Sequence, residues 1–180
     1  ARLTQGVTDP ADKVRAVYGW VVQRTRYVAL ELGIYGIKPR PASLTFARGW
    51  GDCKDKATLI VTMLREAGID AQIVLVRTGM RGGFETEPPG LAPFDHAIAY
   101  VPSMKLFLDG TAEFSGSAEL PAMDQEAMAL AVDVATGAVL PDTVRWSTLD
   151  VPARHTATLI PYLASNGCTS GGRSLAVMLV

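Results

Sequence analysis

A cysteine stands at the start of a predicted helix, in the run Gly51-Asp52-Cys53-Lys54-Asp55. The backbone N–H groups in the first turn of a helix have no partner within it, and with the helix dipole they favour a thiolate there. The same N–H groups can hold the oxyanion that forms during acyl transfer. Cys53 is therefore a candidate nucleophile, and the alternative is a small buried side chain of the core.

A thiolate nucleophile needs a base, and the chain has two histidines, His96 and His155. His96 begins a predicted strand just after a long loop, whereas His155 lies in the tail and ranks behind it. Asp109 ends the next predicted strand. If residues 97–101 and 106–108 form an antiparallel hairpin, the strand ends that carry His96 and Asp109 lie opposite each other or nearly so.

This hairpin would let the carboxylate of Asp109 orient one ring nitrogen of His96 and leave the other for Cys53. Each residue also has an ordinary alternative, because His96 could be a loop histidine bonded to backbone and Asp109 a turn residue before Gly110. The three together are less easily explained by chance than each alone, and they predict a Cys-His-Asp triad.

Two predicted helices position these side chains. Asp52 is a suitable N-cap for the helix that carries Cys53, which should run from about residue 53 to residue 67 and end at Gly68. An earlier helix opens near Asp9, and its apolar stripe consists of Val14, Val17, Tyr18 and Val21.

Three β-rich runs follow, at residues 73–76, 97–101 and 106–108, with short turns apart from one long loop. Helices that precede strands joined in this way are typical of an antiparallel sheet with the helices on one side. The sequence therefore predicts an α+β fold.

Two Gly- and Pro-rich stretches, residues 33–50 and residues 79–95, are predicted to be loops. The second is long enough to be functional, and the alternative is a variable insertion. After Pro121, residues 128–133 and 138–140 are predicted strands.

The chain is predicted to divide into a core domain, residues 1–150, and the start of a β-rich segment, residues 151–180. Strand-like runs at residues 156–163 and 174–180 predict a hairpin in that segment. Because the chain begins at Ala1 without a leader and ends on a strand-like run, we expect a piece of a longer protein. The absence of a targeting signal is then uninformative.

Composition excludes several classes of function. The chain has 180 residues, 48% hydrophobic and 19% charged, with a net charge of −1. This balance argues against a nucleic-acid binder and against a polybasic membrane-surface protein. No run approaches the roughly 18 apolar residues of a membrane span. Two cysteines cannot form a dense disulfide scaffold.

The motifs resemble those of the bacterial transglutaminase-like superfamily. The resemblance covers roughly residues 8–115 and is carried by the Cys53 motif, by Asp95-His96-Ala97 and by Asp109 in Leu108-Asp109-Gly110-Thr111. It implies a papain-like α+β core followed here by a short β-rich extension. It also implies that Cys53 is the nucleophile, His96 the general base and acid, and Asp109 the residue that orients His96.

The resemblance further implies an oxyanion hole made by the amide of Cys53 and an upstream side-chain donor. Tyr27, Tyr35 and Trp50 are candidates for that donor, with Tyr27 favoured because it lies in an extended run before the core helix. Trp50 is equally a candidate wall of the acyl pocket or a core residue. Relatives of this type are often exported, which suggests a periplasmic or extracytoplasmic location and flanking β-rich domains.

The Cys-His-Asp residues and the family resemblance together predict an enzyme that forms a thioester from an amide. This enzyme would need no cofactor or metal and would act on a protein or peptide substrate. Hydrolysis by a cysteine protease or amidase is favoured. The alternatives are a protein-glutamine transamidase and an inactive peptide-binding scaffold on the same fold. Two weaker alternatives are a metal site formed by Cys53, His96 and Asp109 and a disulfide between Cys53 and Cys168.

Overall fold

The described part of the chain contains three α-helices and eight strands. The structure is a computed structural model, and it describes residues 2–81, 91–117, 119–125, 127–131, 144–148 and 151–157. In chain order the elements are α1 (Pro10–Arg24), β1 (Arg26–Tyr27), α2 (Ala42–Arg48), β2 (Trp50–Gly51), α3 (Cys53–Glu66), β3 (Gln72–Arg77), β4 (His96–Val101), β5 (Leu106–Leu108), β6 (Met128–Ala131), β7 (Val144–Thr148) and β8 (Val151–Ala157).

Helix α3 begins at Cys53 because Asp52 caps it. The side chain of Asp52 accepts a hydrogen bond from the backbone N–H of Asp55 at 3.1 Å, and the Asp55 carboxylate accepts one from the N–H of Asp52 at 3.4 Å. This reciprocal capping box holds the first turn, which carries the cysteine. Gly68 follows the helix with a φ of 80°, a conformation that glycine adopts without strain. The predicted helix is confirmed.

Helix α1 confirms the other helix prediction. Asp9 caps it by accepting a hydrogen bond from the N–H of Ala11 at 3.1 Å. Its predicted apolar stripe is buried, and the members are Val14, Val17, Tyr18 and Val21. Burial of this stripe fixes α1 in the helical layer that also contains α3.

Four strands form an antiparallel sheet in the order β5-β4-β3-β6. Their side chains alternate between two faces. One face packs against α1 and α3 through Ile73, Ala97, Ala99 and Leu108. The other face is covered by Leu120 and Ala127, which precede β6 and pack on Val74, Ile98 and Phe107. The α+β fold with helices on one side of an antiparallel sheet is therefore confirmed.

The predicted hairpin of β4 and β5 is also confirmed. Its register pairs Ala99 with Leu108 and Tyr100 with Phe107. One further pair in the same register places Asp109 opposite Ile98. His96 and Asp109 are therefore diagonal neighbours, two residues apart along the strand direction, which is still within reach of long side chains.

The prediction of a loop over residues 33–50 is wrong in part. A 3₁₀ turn occupies Gly33–Gly36, and α2 begins after Pro41 and ends at Gly49, which has a φ of 69°. The glycines and prolines flank α2 and do not interrupt it. A helix of this length is not stable alone, and its packing on the core stabilises it, as in the stacking of Phe46 on Trp20 at 4.9 Å.

Strands β1 and β2 form a short parallel pair that lies directly before α3. Tyr27 is paired with Gly51, and the N–H of Val28 donates to the carbonyl of Gly51 at 2.9 Å. This pairing places Tyr27 next to the chain that leads into Cys53.

Strand β6 confirms part of the predicted strand at residues 128–133. Strands β7 and β8 pair as a separate two-stranded hairpin, and the predicted strand at residues 156–163 begins within β8. The division of the chain at residue 150 stays a prediction. The strands predicted at residues 138–140 and 174–180, and residues 82–90 of the long loop, lie outside the described residues.

Within the described ranges, none of the helices combines the length and apolar character needed to cross a lipid bilayer.

Candidate active site

Cys53 is the first residue of α3, and its thiol is free and largely buried. The two lysines beside it are engaged elsewhere. Lys54 Nζ donates to Asp52 Oδ2 at 2.8 Å, and the fully buried Lys56 donates from Nζ to the carbonyl of Thr25 at 2.7 Å. The positive surroundings of the thiol must therefore come mainly from the helix terminus and from His96.

His96 and Asp109 lie in contact. His96 Nε2 is 3.2 Å from Asp109 Oδ1, and the two side chains are only 7% and 0% exposed. The Nε2–H bond is not aligned well enough for a hydrogen bond in this geometry, so the contact is an ion pair. Thr111 fixes the carboxylate, because its backbone N–H and its hydroxyl each donate to Oδ1 at 2.8 Å.

His96 is held in its charged form. Burial alone lowers the pKa of His96, but its interactions with Asp109 and with the thiol of Cys53, together with the charge of Asp124, raise that pKa to about 11. The imidazole is therefore an imidazolium at neutral pH. Because Nε2 faces Asp109, Nδ1 is the ring nitrogen left for Cys53.

A fourth residue, Asp124, lies beside this pair and was not predicted from the sequence. It is fully buried, and its Oδ2 is 4.0 Å from His96 Nε2. Burial is the largest effect on the pKa of Asp124 and raises it. The positive charge of His96 lowers this pKa, whereas the carboxylate of Asp109 raises it further. Together these effects raise the pKa of Asp124 to about 7. The local signal is an aspartate in a turn after Pro121, which is an ordinary turn composition.

A cavity of about 270 Å³ opens at Cys53 and His96. Its apolar wall includes Ile37, Pro39, Ile73, Leu75, Leu91 and Phe94. Charged side chains at the same cavity include Glu31, Lys54 and Arg81. An apolar cleft with a few polar groups is the usual form of a ligand-binding site.

Tyr27 lies near Cys53 but lines a neighbouring cavity together with Asp109. Burial, together with the negative charges of Cys53, Glu31, Asp52 and Asp109, raises the pKa of Tyr27 to about 12. The phenol is therefore a protonated O–H donor at neutral pH, as a second oxyanion donor must be.

The other two aromatic candidates are engaged with arginines. The ring of Tyr35 lies under the guanidinium of Arg40 at 4.4 Å, and the ring of Trp50 lies under that of Arg48 at 3.7 Å. Trp50 is half-buried and does not line the cavity at Cys53 in the described part of the chain.

Asp55, Arg40 and Arg48 form a buried ionic network behind the cysteine. Asp55 Oδ2 is 3.1 Å from Arg40 Nη1 and 2.8 Å from Arg48 Nη2, and Asp55 Oδ1 accepts from the backbone N–H of Arg40 at 2.7 Å. The network joins the first turn of α3 to α2 and to the segment before it. The contacts of Asp55 with the two arginines were not predicted from the sequence.

Two alternatives from the sequence can be compared with this geometry. Cys53 is a free thiol. The alternative disulfide with Cys168 stays a prediction, because Cys168 lies outside the described residues. The predicted metal site of Cys53, His96 and Asp109 is not supported. Among the described residues, the side chains close enough to share a metal ion are His96, Asp109 and Asp124, and Cys53 is not one of them. The carboxylate of Asp109 already has partners in the ion pair with His96 and the hydrogen bonds from Thr111, and we assign no metal to these three residues.

Residues 1–101 match the family model of the transglutaminase-like superfamily, and the chain belongs to that superfamily. Its structure is similar to that of a candidate protease from Parabacteroides distasonis, with a TM-score of 0.55 and 17% identity over 72% of this chain. A candidate cysteine protease from Cytophaga hutchinsonii gives a TM-score of 0.45 and 22% identity over 62% of this chain. No curated protein sequence matches significantly.

The chain spans 24% and 35% of the length of these two solved structures. The family match and the first structure support a transglutaminase-like α+β fold.

Proposed function

We propose that the protein is a thiol-dependent hydrolase of amide bonds in proteins or peptides, with Cys53 as nucleophile, His96 as general acid and base, and Asp109 as the orienting residue. The observation that carries this proposal is the ion pair of His96 Nε2 and Asp109 Oδ1 at 3.2 Å, next to a cavity that also contains the free thiol of Cys53. Membership of the transglutaminase-like superfamily supports it.

In the first half of the reaction, the thiolate of Cys53 attacks the amide carbonyl carbon and an S–C bond forms. The C–N bond then breaks, and the imidazolium of His96 gives its proton to the leaving amine. The product that stays on the enzyme is a thioester.

In the second half, His96 accepts a proton from water while the water oxygen attacks the thioester. The S–C bond breaks, which releases a carboxylic acid and restores the thiolate and imidazolium. If an amine replaces water, the same steps give transamidation, which is the second candidate function.

The oxyanion of both tetrahedral intermediates is placed between the first-turn amides of α3 and the phenol of Tyr27. Donors at the N-terminus of a helix need no reorganisation during the reaction. The position of Tyr27 beside Gly51, and its protonated phenol, support this second donor.

The test of function uses labelled casein as substrate, with and without an added primary amine, and compares wild type with Cys53→Ala. We expect peptide release by wild type, a trapped acyl-enzyme adduct on Cys53 by mass spectrometry, and neither in Cys53→Ala. Amine incorporation without peptide release would favour the transamidase. Binding of casein without an adduct or product would favour an inactive scaffold, and turnover by Cys53→Ala would contradict the mechanism.

Replacing Tyr27 with phenylalanine should lower kcat by about 100-fold, because one oxyanion donor is removed, while KM changes little. Tyr35→Phe is the matched control, because Tyr35 is a second candidate tyrosine whose ring is stacked on Arg40. Steady-state kinetics on the casein substrate gives both constants. Equal kcat values for the two variants would show that Tyr27 is not an oxyanion donor.

A further inference from the structure

Asp109 and Asp124 place two carboxyl groups against one histidine. A carboxylate oxygen of each and a ring nitrogen of His96 lie within 4.8 Å of one another, and all three side chains are buried. Two carboxylates this close in a buried site do not both ionise near neutral pH, because repulsion and desolvation oppose the second charge. One of the two is therefore expected to hold a proton below about pH 7.

Asp109 is the ionised member of the pair. Burial opposes its ionisation, but the interaction with His96 and the hydrogen bonds from Thr111 lower the pKa of Asp109. Its carboxylate thus has a cationic neighbour and two donors within 2.8 Å.

Asp124 has the opposite surroundings. Neither of its oxygens accepts a hydrogen bond from a described donor, although the side chain is fully buried. The turn that carries it is fixed, since its N–H donates to the carbonyl of Pro121 at 2.9 Å and its carbonyl accepts from Ala127 at 3.4 Å. A carboxyl group that lacks donors and faces an ionised carboxylate is satisfied when it is an acid that donates its own O–H.

We propose that Asp124 is a positioning residue of the active site, which as a neutral carboxylic acid donates a hydrogen bond to Asp109 and so fixes that carboxylate against His96. The inference rests on the proposed thiol mechanism, since it assigns a role within the same site. Leu120 and Ala127, the buried residues on either side of Asp124 along the chain, pack on the face of the sheet opposite the helices.

The proton on Asp124 sets an upper pH limit for the site. The charged groups that face Asp124 are His96 of β4, Asp109 after β5, and Asp95 before β4, which is itself bound by the N–H and hydroxyl of Thr78 at 2.8 Å. The pKa of Asp124 is raised, so the proton is held below about pH 7 and lost as the pH rises through that value.

Loss of this proton has two consequences. The donor to Asp109 disappears, and a second negative charge holds the proton of His96 more tightly. His96 then gives its proton to the leaving amine less readily, and kcat falls. The apparent pKa of this fall belongs to the pair of carboxyl groups and not to one residue.

Infrared difference spectroscopy tests the proton directly. We expect wild type to show the carbonyl stretch of a protonated carboxyl group well below pH 7 and to lose it well above pH 7. Asp124→Asn should lack this band under both conditions. A wild-type spectrum without the band, or a band that persists in Asp124→Asn, would overturn the proposal, and neither result depends on enzymatic activity.

Kinetics distinguish positioning from a merely structural role. Asp124→Ala has no donor, and we expect its kcat on labelled casein to fall by about 10- to 100-fold with little change in KM. Asp124→Asn keeps an N–H donor that does not titrate, so it should restore most of that loss and should lack the decline in kcat above pH 7. An unchanged pH profile in Asp124→Asn, or equal kcat in Asp124→Ala and wild type, would overturn the positioning role.

Failure of the proposed function gives a different result. In that case wild type forms no acyl adduct on Cys53, while the infrared spectra still decide whether Asp124 carries the proton. Circular dichroism of both variants establishes that they are folded before the comparison is made.

Discussion

Replacing His96 with alanine is expected to lower kcat by at least about 1,000-fold on any amide substrate that wild type cleaves. The variant loses the cation that pairs with the Cys53 thiolate and also the group that protonates the leaving amine. In Asp109→Ala, kcat should fall less, by about 10- to 100-fold. The nucleophile and the base remain in this variant, and only the orientation of His96 is relaxed.

The same variants can be compared without a known substrate, through the rate of Cys53 alkylation by iodoacetamide in a Cys168→Ser background. An ordinary cysteine reacts appreciably only near its usual pKa of about 8.5. We expect wild-type Cys53 to react well below that pH, His96→Ala to lose this reactivity, and Asp109→Ala to lose part of it.

His155→Ala is the matched control, because His155 is the other histidine of the chain and lies in β8. It should react as wild type does. If His96→Ala reacts like the control, the thiolate–imidazolium pair does not exist and the scaffold alternative is favoured. If the alkylation rate of Cys53 falls as much in Asp109→Ala as in His96→Ala, the carboxylate of Asp109 does more than orient the ring of His96.

The positions of Cys53, His96 and Asp109 could be predicted because their signals are local. Asp52 and Asp55 form a capping box that fixes the start of α3 at Cys53 within one residue, and a short turn between two apolar runs determines a hairpin. His96 and Asp109 are diagonal neighbours on the two strands of that hairpin, so their side chains come into contact. Each of these steps depends on residues that lie close together in sequence.

Asp124 could not be predicted in this way. It reaches His96 because the chain after β5 folds over the second face of the sheet, and that packing depends on Leu120 and Ala127, which are distant in sequence from β3 and β4. Helix α2 was missed for a related reason. Its stability comes from contacts with Trp20 and Asp55, whereas its own sequence is short and flanked by Gly and Pro.

Replacing Asp55 with alanine is expected to lower the free energy of unfolding by about 3–5 kcal/mol, which is the usual effect of removing one partner of a buried ion pair. The side chains of Arg40 and Arg48 are only 11% and 14% exposed, and Asp55 is the carboxylate that both contact within 3.1 Å. Its removal leaves two guanidinium groups poorly solvated and also opens the capping box.

Asp12→Ala is the matched control, because the Asp12–Arg15 ion pair has a similar distance, 2.7 Å, but side chains that are 57% and 43% exposed. An exposed pair of this kind contributes less than about 1 kcal/mol. Urea denaturation measures both variants, and Asp55→Asn, which keeps the shape and an acceptor for the N–H of Arg40, should fall between them.

The comparison also bears on the site, because the network and Cys53 share the first turn of α3. If the network positions the thiol, Asp55→Asn should slow alkylation of Cys53 under conditions where the variant is fully folded, whereas Asp12→Ala should not. If Asp55→Ala costs no more stability than Asp12→Ala, the two arginines find other partners and the network does not anchor the helix. Equal alkylation rates in a destabilised but folded Asp55→Asn would mean that the capping hydrogen bonds of Asp52 suffice to hold Cys53 in place.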